Sequence, residues 1–351
     1  MKAAVWHARK DVRIEEIAEP SSPEPGWVKI EVAAVGLCGT DLHEYAHGPI
    51  FTCVDQPHPL TGHQGPVVMG HEFSGKVVEL GEGVDNVTLG DRVASMGGMC
   101  CGECHYCQQG LLHLCLKGAM FGFHINGAFT RYINVPATVL FPLPNSVTDV
   151  VGAMVEPYAV GLHAVRQAMV RQGDTVVVLG AGPIGLTVLQ SALAEGADKV
   201  FVLELSTHRQ ELAMQLGAAA VIDPGEVDPV EEIKRLTDGL GADVAIECIG
   251  HKDTAPLAVS LIKKAGCVVL AGMFTDASTI NFLDVAVEEK RIVGSFGYLM
   301  EFPEMIQMFS EGKIDPKPLH SKTIALDDLV TEGFEALLSK DNTNIKIIIE
   351  L

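Results

Sequence analysis

The chain has 351 residues, of which 48% are hydrophobic, and a formal net charge of −20 at neutral pH. This length is enough for two domains, and the hydrophobic content with 36 glycines is typical of a globular α/β protein rather than a disordered chain. The negative charge makes nucleic acid and anionic membranes unfavourable partners, because their phosphate groups would be repelled.

The N-terminal segment bears on the compartment of the protein. MKAAVWHARKDVRIEE contains no apolar run of signal-peptide length, and no run of 18 or more apolar residues follows it. We therefore expect a cytoplasmic protein, in which thiols remain reduced. In that setting, clustered cysteines favour metal or redox chemistry over disulfides.

Residues 1–155 are predicted to form a β-rich first domain. Short β segments separated by glycine turns recur along it, namely VKIEVAAVG, SGKVVELGEG, GDRVAS and FTRYINV. Such regular spacing of strands and turns predicts a compact, barrel-like β domain.

Within this domain, the segment CCGECHYCQQGLLHLC holds five of the nine cysteines. Four of these five cysteines are candidate metal ligands: Cys101, Cys104, Cys107 and Cys115. A C-x2-C step lets two thiolates of one turn face the same ion, so four sulfurs can close a tetrahedron around zinc. The segment does not resemble a thioredoxin-like redox pair, and buried free thiols are the remaining alternative. Four thiolates leave no open position, so this zinc is expected to be structural, with Cys100 as a spare thiol.

Residues 156–292 show a different pattern, in which strand-like apolar runs alternate with helical segments. The six runs are TVVVLG, KVFVLE, AAVID, ADVAIECIG, GCVVLAG and RIVGSF. Six strands separated by helices predict a doubly wound parallel sheet of the Rossmann type. The remaining residues, 293–351, end in the strand-like NIKIIIEL, which is expected to return to the first domain.

The run TVVVLGAGPIG places Gly180, Gly182 and Gly185 directly after an apolar strand and before a helix. In a dinucleotide-binding fingerprint, Gly180 permits the tight turn, Gly182 lets the backbone approach a pyrophosphate, and Gly185 lets the helix pack on the strand. The helix that begins near Pro183 and Ile184 would offer unpaired N–H groups to the phosphates. The sequence therefore predicts a dinucleotide site in this turn.

Glu204 ends the next predicted strand, where a carboxylate can accept hydrogen bonds from both hydroxyls of an adenosine ribose. The same charge would repel a 2′-phosphate, so the sequence favours NAD over NADP. The alternative is an ordinary glycine-rich turn followed by a surface glutamate.

Two further segments combine metal-ligand residues with glycines: GLCGTDLHEY contains Cys38, and GHEFSG contains His71. A thiolate and an imidazole are both good zinc ligands. Taken alone, however, Cys38 could be a buried free thiol and His71 a core histidine with its hydrogen bonds satisfied. Glu72 and Glu156 could likewise be ordinary surface or structural carboxylates.

The order of these motifs resembles that of the zinc-dependent medium-chain alcohol dehydrogenases from end to end. C-G-T-D-x-H is followed by G-H-E, the four-cysteine lobe, E-P-x-A-V and the glycine fingerprint. Within that superfamily the chain is most similar to the polyol and 2,3-butanediol dehydrogenases, because GPIFTCVDQPHPLTGHQGPVVMGHEFSG is close to the insertion of the butanediol enzymes. The resemblance implies a GroES-like β-barrel catalytic domain beside the Rossmann domain, two zinc ions per subunit, NAD, and a homodimer or homotetramer.

The resemblance also implies a ligand set for a second, catalytic zinc. Cys38 and His71 correspond to zinc ligands, and Glu156 stands where many alcohol dehydrogenases have a second cysteine. Glu72 is the alternative oxygen ligand, so the resemblance leaves open which glutamate binds zinc at rest.

Further roles follow from the same resemblance. A proton relay would run from Thr40 through the nicotinamide ribose to His43, and Arg209 lies where the superfamily has a basic residue near the adenosine. The implied reaction is hydride transfer between NAD and a small vicinal diol or hydroxyketone, such as 2,3-butanediol and acetoin. Another polyol or amino alcohol, such as sorbitol or threonine, is the alternative substrate. A catalytically silent nucleotide-binding protein with structural zinc only is the alternative of another class.

Overall fold

The computed structural model of the chain describes residues 1–339 and 341–351. The chain divides into two compact units, one formed by Met1–Glu156 with Phe302–Leu351 and the other by Pro157–Glu301. Among the described residues, no helix is both long enough and apolar enough to cross a membrane.

Strands and short helices alternate along the chain. The strands are β1 (Lys2–Ala8), β2 (Asp11–Glu16), β3 (Trp27–Gly36), β4 (Val67–Val68), β5 (Glu72–Leu80), β6 (Arg92–Ser95), β7 (Gly98–Met99), β8 (Ala119–Met120), β9 (Tyr132–Pro136), β10 (Leu140–Pro142), β11 (Thr175–Leu179), β12 (Lys199–Leu203), β13 (Ala220–Ile222), β14 (Ala242–Glu247), β15 (Ile262–Leu270), β16 (Arg291–Gly294), β17 (His320–Ala325) and β18 (Lys346–Glu350). The α-helices are α1 (Gly39–His47), α2 (His105–Gln108), α3 (Asp149–Ala153), α4 (Val155–Ala168), α5 (Pro183–Ala194), α6 (Thr207–Gln215), α7 (Pro229–Leu236), α8 (Thr254–Leu261), α9 (Phe282–Val287), α10 (Phe302–Ser310) and α11 (Glu335–Leu338).

The first unit consists mainly of β-sheet. Its largest sheet has seven strands, in the order β10-β6-β5-β3-β18-β17, and β9 also pairs with β3. Buried and half-buried side chains alternate along most of β3, as expected for a strand with one face on a core. The four β segments predicted from the sequence lie in β3, β5, β6 and β9, so these strands are confirmed.

The core of the first unit is rich in aromatic side chains, which pack with aliphatic residues of the sheet. Its largest fully buried side chains include Trp6, Phe73, Phe121, Phe123, Phe129 and Phe334. The strand pairing also determines where the ends of the strands meet. Gly36, at the end of β3, pairs with Glu72 at the start of β5 and with Ile348 of β18. Side chains from three distant parts of the sequence can therefore meet at this edge.

The second unit contains one six-stranded sheet with the order β13-β12-β11-β14-β15-β16. All five strand pairs are parallel. The chain runs outwards from β11 to β13 and then returns to the other side of β11 at β14, which is the doubly wound arrangement. The predicted Rossmann sheet is confirmed, and each of the six predicted runs supplies one of its strands.

Candidate functional site

The four predicted lobe cysteines converge around one point in the first unit. Their ligand atoms all lie within 4.8 Å of one another, and Cys100 is not part of this group. The Sγ–Sγ distances are 3.5 Å for Cys104–Cys107, 4.0 Å for Cys101–Cys107 and 3.4 Å for Cys115–Cys101. Zinc–sulfur bonds of ~2.3 Å in a tetrahedron require sulfurs ~3.8 Å apart, so the observed spacing fits zinc. It is far too long for a disulfide.

Backbone N–H groups of the lobe also favour thiolates. The backbone of Cys107 and of Leu116 lowers the pKa of Cys104 to about 6. The N–H groups of Cys101 and Lys117 donate to Cys115 Sγ at 3.3 and 3.4 Å. Metal-ligating cysteines must lose their protons, so these backbone bonds assist zinc binding, whereas burial raises the pKa of Cys107 and of Cys115.

We expect Cys104→Ser to lose one zinc per chain and to destabilise the protein by more than about 4 kcal/mol, because loss of a structural metal belongs to the most destabilising class of changes. Elemental analysis and thermal unfolding measure both effects. Cys100→Ser is the matched control, since Cys100 is adjacent in sequence but outside the cluster. Equal behaviour of the two variants would contradict the structural zinc.

A second cluster forms where β3, β5 and α1 meet. One ligand atom each from Cys38, His71 and Glu72 lies within 4.8 Å of the others. Cys38 immediately precedes α1, whereas His71 and Glu72 enter β5. His71 is 3% exposed and Glu72 only 1%. One thiol, one imidazole and one carboxylate around a shared point fit zinc and leave room for a fourth ligand, as in catalytic zinc sites.

Asp41 lies behind this cluster and restrains two of its members. Asp41 is fully buried, and its Oδ2 accepts a hydrogen bond from the Cys38 N–H at 3.1 Å. Its Oδ1 lies 3.5 Å from His71 Nδ1, which is within ion-pair distance. Neither of these two atoms has a hydrogen-bond partner among the described residues. A carboxylate behind a histidine fixes the ring and leaves the other nitrogen for a metal. Because Nδ1 faces Asp41, Nε2 is the nitrogen of His71 that remains for an ion.

The ionisable groups of the cluster shift one another's pKa values. Burial, and then the charge of Glu72, raises the pKa of Cys38, with His71 and Lys346 acting in the opposite direction. Burial alone would lower the pKa of His71, but Asp41 and Cys38 outweigh it and hold this pKa above its usual range. Both shifts favour the protonated forms of Cys38 and His71, so a metal ion would compete with protons at these atoms.

Glu72 is held by a buried lysine from the C-terminal strand. Lys346 Nζ donates to Glu72 Oε2 at 2.7 Å, to Glu72 Oε1 at 2.9 Å and to the Leu37 carbonyl at 3.2 Å. Lys346 is 2% exposed, so this is a fully buried ion pair. A Cβ at Gly36 would collide with Glu72 Oε2, so a larger residue there would displace the carboxylate. Both features fix Glu72 beside Cys38 and His71.

Glu156 is buried in the first turn of α4 but is not part of the three-residue cluster. Its negative charge nevertheless affects the pKa of Lys346. Burial tends to lower the pKa of Lys346, but Glu72, Cys38 and Glu156 together raise it above its usual value. The structure therefore places Glu72 among the candidate ligands and Glu156 in the surrounding charge field.

The two predicted relay residues both lie on α1. The hydroxyl of Thr40 is 3.6 Å from Cys38 Sγ, so it adjoins the cluster. His43 lies one turn further along and is exposed. Burial of part of the ring, and then the neighbouring His47, lowers the pKa of His43. A lowered pKa keeps this imidazole neutral and able to accept a proton near neutral pH.

The glycine fingerprint has the predicted form in the second unit. Gly180 follows β11 with a φ of +91°, a backbone conformation that favours glycine. A Cβ at Gly185 would collide with the Gly180 carbonyl, whereas a Cβ at Gly182 would meet nothing within 4 Å. Helix α5 begins at Pro183, and Ile184 is its second residue. The turn is therefore tight where helix meets strand and open where a phosphate would approach.

Glu204 is hydrogen-bonded directly to this turn. The sequence did not indicate this contact. Its Oε2 accepts from the Ala181 N–H at 2.7 Å, and its Oε1 accepts from the N–H groups of Leu205 and Ser206 at 2.9 Å each. The carboxylate thus ties the end of β12 to the fingerprint loop. Arg209, on α6, is half-buried nearby in sequence.

Family models match both units. The alcohol dehydrogenase GroES-like domain matches residues 24–145, and the zinc-binding dehydrogenase domain matches residues 183–311. The (R,R)-butanediol dehydrogenase of Bacillus subtilis (strain 168) is 43% identical over 357 residues, which cover 99% of each chain. The chain belongs to the zinc-dependent medium-chain alcohol dehydrogenases. It is therefore an oxidoreductase whose cofactors are zinc and a nicotinamide dinucleotide.

Two other similarities bear on this dehydrogenase. A sorbitol dehydrogenase of Bacillus subtilis (strain 168) is 32% identical and covers 99% of this chain and 97% of its own. The crystal structure of 2R,3R-butanediol dehydrogenase from Bacillus subtilis has a TM-score of 0.94 at 42% identity, covering 100% of this chain and 99% of that one. The family resemblance and the predicted combination of a GroES-like and a Rossmann domain are thus confirmed.

Two residues that contact the candidate metal cluster were missed by sequence reasoning. Asp41 stands inside the C-G-T-D motif, so its position next to Cys38 could have suggested a supporting role. Lys346 gave no signal, because a lysine at the start of a strand usually indicates an exposed side chain. Only the pairing of β18 with β3 brings it to Glu72, 274 residues away in sequence.

Proposed function

We propose that this dehydrogenase oxidises 2,3-butanediol to acetoin with NAD, and in reverse reduces acetoin or diacetyl. The observation that carries the proposal is the Cys38–His71–Glu72 cluster in a chain that is 43% identical, over its full length, to an (R,R)-butanediol dehydrogenase. The related sorbitol dehydrogenase makes another polyol the competing substrate.

The proposed catalytic zinc ligands are Cys38, His71 and Glu72, and the proposed structural ligands are the four lobe cysteines. Glu72 is favoured over Glu156 because its carboxylate lies with the other two ligand atoms. Lys346 would balance part of the negative charge of Glu72 and the Cys38 thiolate, which leaves the ion with enough net positive charge to act on an alcohol.

When bound, zinc supplies a Lewis acid that makes an alcohol more acidic, and NAD supplies the hydride acceptor. The chain's own residues then have three tasks. Asp41 orients His71, and Lys346 with Gly36 fixes Glu72. The Thr40 hydroxyl oxygen would accept the proton of the alcohol while Thr40 gives up its own hydroxyl proton, and His43, on the next turn of α1, would accept the proton that leaves the site and release it to water. A neutral His43 suits this task near neutral pH.

A substrate panel with NAD tests the proposal. We expect kcat/KM for 2,3-butanediol to exceed that for 2-butanol by more than about a hundredfold, because a site that hydrogen-bonds the second hydroxyl rejects its absence strongly. Sorbitol should be poorer still, because we propose that Phe51 and its neighbours leave room for a four-carbon substrate but not for a long polyol. Comparable efficiency with sorbitol or threonine would refute the diol assignment.

Preference for NAD over NADP is proposed to rest on Glu204. Glu204→Gln keeps an acceptor for the Ala181 N–H but removes the charge, so the ratio of NADP to NAD activity should rise by about tenfold or more. Glu211→Gln is the control, because it replaces an exposed carboxylate on α6 by a carboxamide. It should leave the ratio unchanged. Equal use of both cofactors by the wild type would contradict the role of Glu204.

A homo-oligomer is proposed from the outer edge of the second unit. Strand β16 ends the sheet order, and large apolar side chains near it are exposed: Phe282 71%, Val287 68% and Phe296 66%. An open strand edge with exposed apolar residues favours pairing with a second copy. A monomer in sedimentation analysis would contradict this.

A reducing compartment such as the cytoplasm would keep the lobe thiols available to zinc.

A further inference from the structure

Glu44 is a fully buried carboxylate to which the mechanism assigns no role. It lies on α1, one residue after His43, with 0% of its surface exposed. Its Oε2 accepts from the N–H groups of Ile50 and Phe51 at 3.0 and 2.9 Å, and its Oε1 accepts from the Thr52 N–H at 3.2 Å. Three successive backbone amides therefore converge on one side chain. Bonds from N–H groups to a charged acceptor are among the stronger hydrogen bonds in proteins.

These amides belong to the start of the segment between α1 and β4, and the middle one carries an aromatic ring towards the metal cluster. The Phe51 ring packs edge-on against Phe123, with centroids 5.5 Å apart. Phe123 in turn lies against the His71 ring at 5.4 Å. Phe123 is fully buried, whereas Phe51 is half-buried. A continuous row of contacts thus runs from Glu44 through Phe51 and Phe123 to the proposed zinc ligand His71.

His124 lies near the same backbone. Burial lowers the pKa of His124, while a hydrogen bond with the backbone of Phe51 and the charge of Glu44 act in the opposite direction. The His124 ring is also stacked on His58, with centroids 4.4 Å apart. The Phe51 backbone is therefore fixed through its N–H by Glu44, with the His124–His58 ring pair nearby.

We propose that Glu44 is a positioning residue for substrate selection: by fixing the backbone of residues 50–52, it sets how the Phe51 ring packs on Phe123, the ring that lies against His71, and so how large a substrate the site accepts. This inference rests on the proposed diol dehydrogenase activity. Glu44 does not touch the reacting atoms, so it acts only through Phe51. A carboxylate that merely stabilised the fold would leave the choice between substrates unchanged.

Glu44→Gln tests the proposal, because it keeps the shape of the side chain but replaces one acceptor oxygen by an NH2 group facing N–H donors. We expect the ratio of kcat/KM for 2,3-butanediol over sorbitol to fall by about tenfold, since small displacements of a pocket wall change discrimination by this order. Phe51→Ala should lower the same ratio. Asp55→Asn is the matched control, an exposed carboxylate in the same segment, and should leave the ratio unchanged.

The double variant Glu44→Gln/Phe51→Ala decides whether the two residues act as one unit. If Glu44 acts through Phe51, the double variant should match Phe51→Ala to within about twofold. Additive effects, or an unchanged ratio in Glu44→Gln with only a lower melting temperature, would overturn the inference. A wild type without NAD-dependent diol oxidation would instead overturn the proposed function, so the two failures are distinguishable.

Discussion

His71→Ala should reduce kcat/KM for diol oxidation by at least roughly a thousandfold while the protein remains folded. Loss of the imidazole leaves only Cys38 and Glu72 at the cluster, too few ligands to hold zinc firmly. Without the ion, the stabilisation of the developing alkoxide, worth several kcal/mol, disappears. Steady-state kinetics and elemental analysis measure the effect, and the zinc content should fall by one ion per chain.

His7→Ala provides the control for this variant. His7 lies in the first unit, its Nε2 is 2.9 Å from Glu15 Oε1, and it belongs to neither cluster. It should retain both zinc ions and full activity. If His71→Ala kept more than a tenth of the wild-type activity, His71 could not be a ligand of the catalytic ion.

Lys346→Met should destabilise the metal-free protein by about 3–5 kcal/mol. The reason is that Glu72, 1% exposed, would lose both hydrogen bonds to Lys346 Nζ and become an uncompensated buried charge. Lys346→Arg keeps the charge and should recover part of the loss. The double variant Glu72→Gln/Lys346→Met removes both charges and should be more stable than Lys346→Met alone, which chemical denaturation can establish.

An exposed ion pair of the same unit gives the comparison. Lys322 Nζ lies 2.7 Å from Glu332 Oε2, and the glutamate side chain is 59% exposed. Lys322→Met should therefore cost far less stability than Lys346→Met. A similarly small loss in Lys346→Met would show that Glu72 finds other partners and that Lys346 does not hold it in place.

The sequence alone predicted those features whose causes are local. Six apolar runs became the six parallel strands, because each run buries both faces of a short strand. The spacing of Cys101, Cys104 and Cys107 predicted the lobe, because a C-x2-C step places its sulfurs together whatever surrounds it. The fingerprint glycines were predicted because close approach and positive φ exclude other residues there.

Features that depend on contacts between distant segments could not be predicted. Lys346 reaches Glu72 only because β18 lies next to β3. The hydrogen bonds of Glu44 depend on how residues 50–52 fold back onto α1, and no pattern in the sequence predicts that turn. The bond between Glu204 and Ala181 similarly requires β11 and β12 to be neighbours.

The zinc content of the active wild-type enzyme tests the central claim most directly. Elemental analysis of protein that oxidises 2,3-butanediol with NAD should find two zinc ions per chain, one for the four-cysteine lobe and one for the Cys38–His71–Glu72 cluster. One zinc per chain in fully active protein would contradict the account, because one of the two clusters would then have no ion to bind.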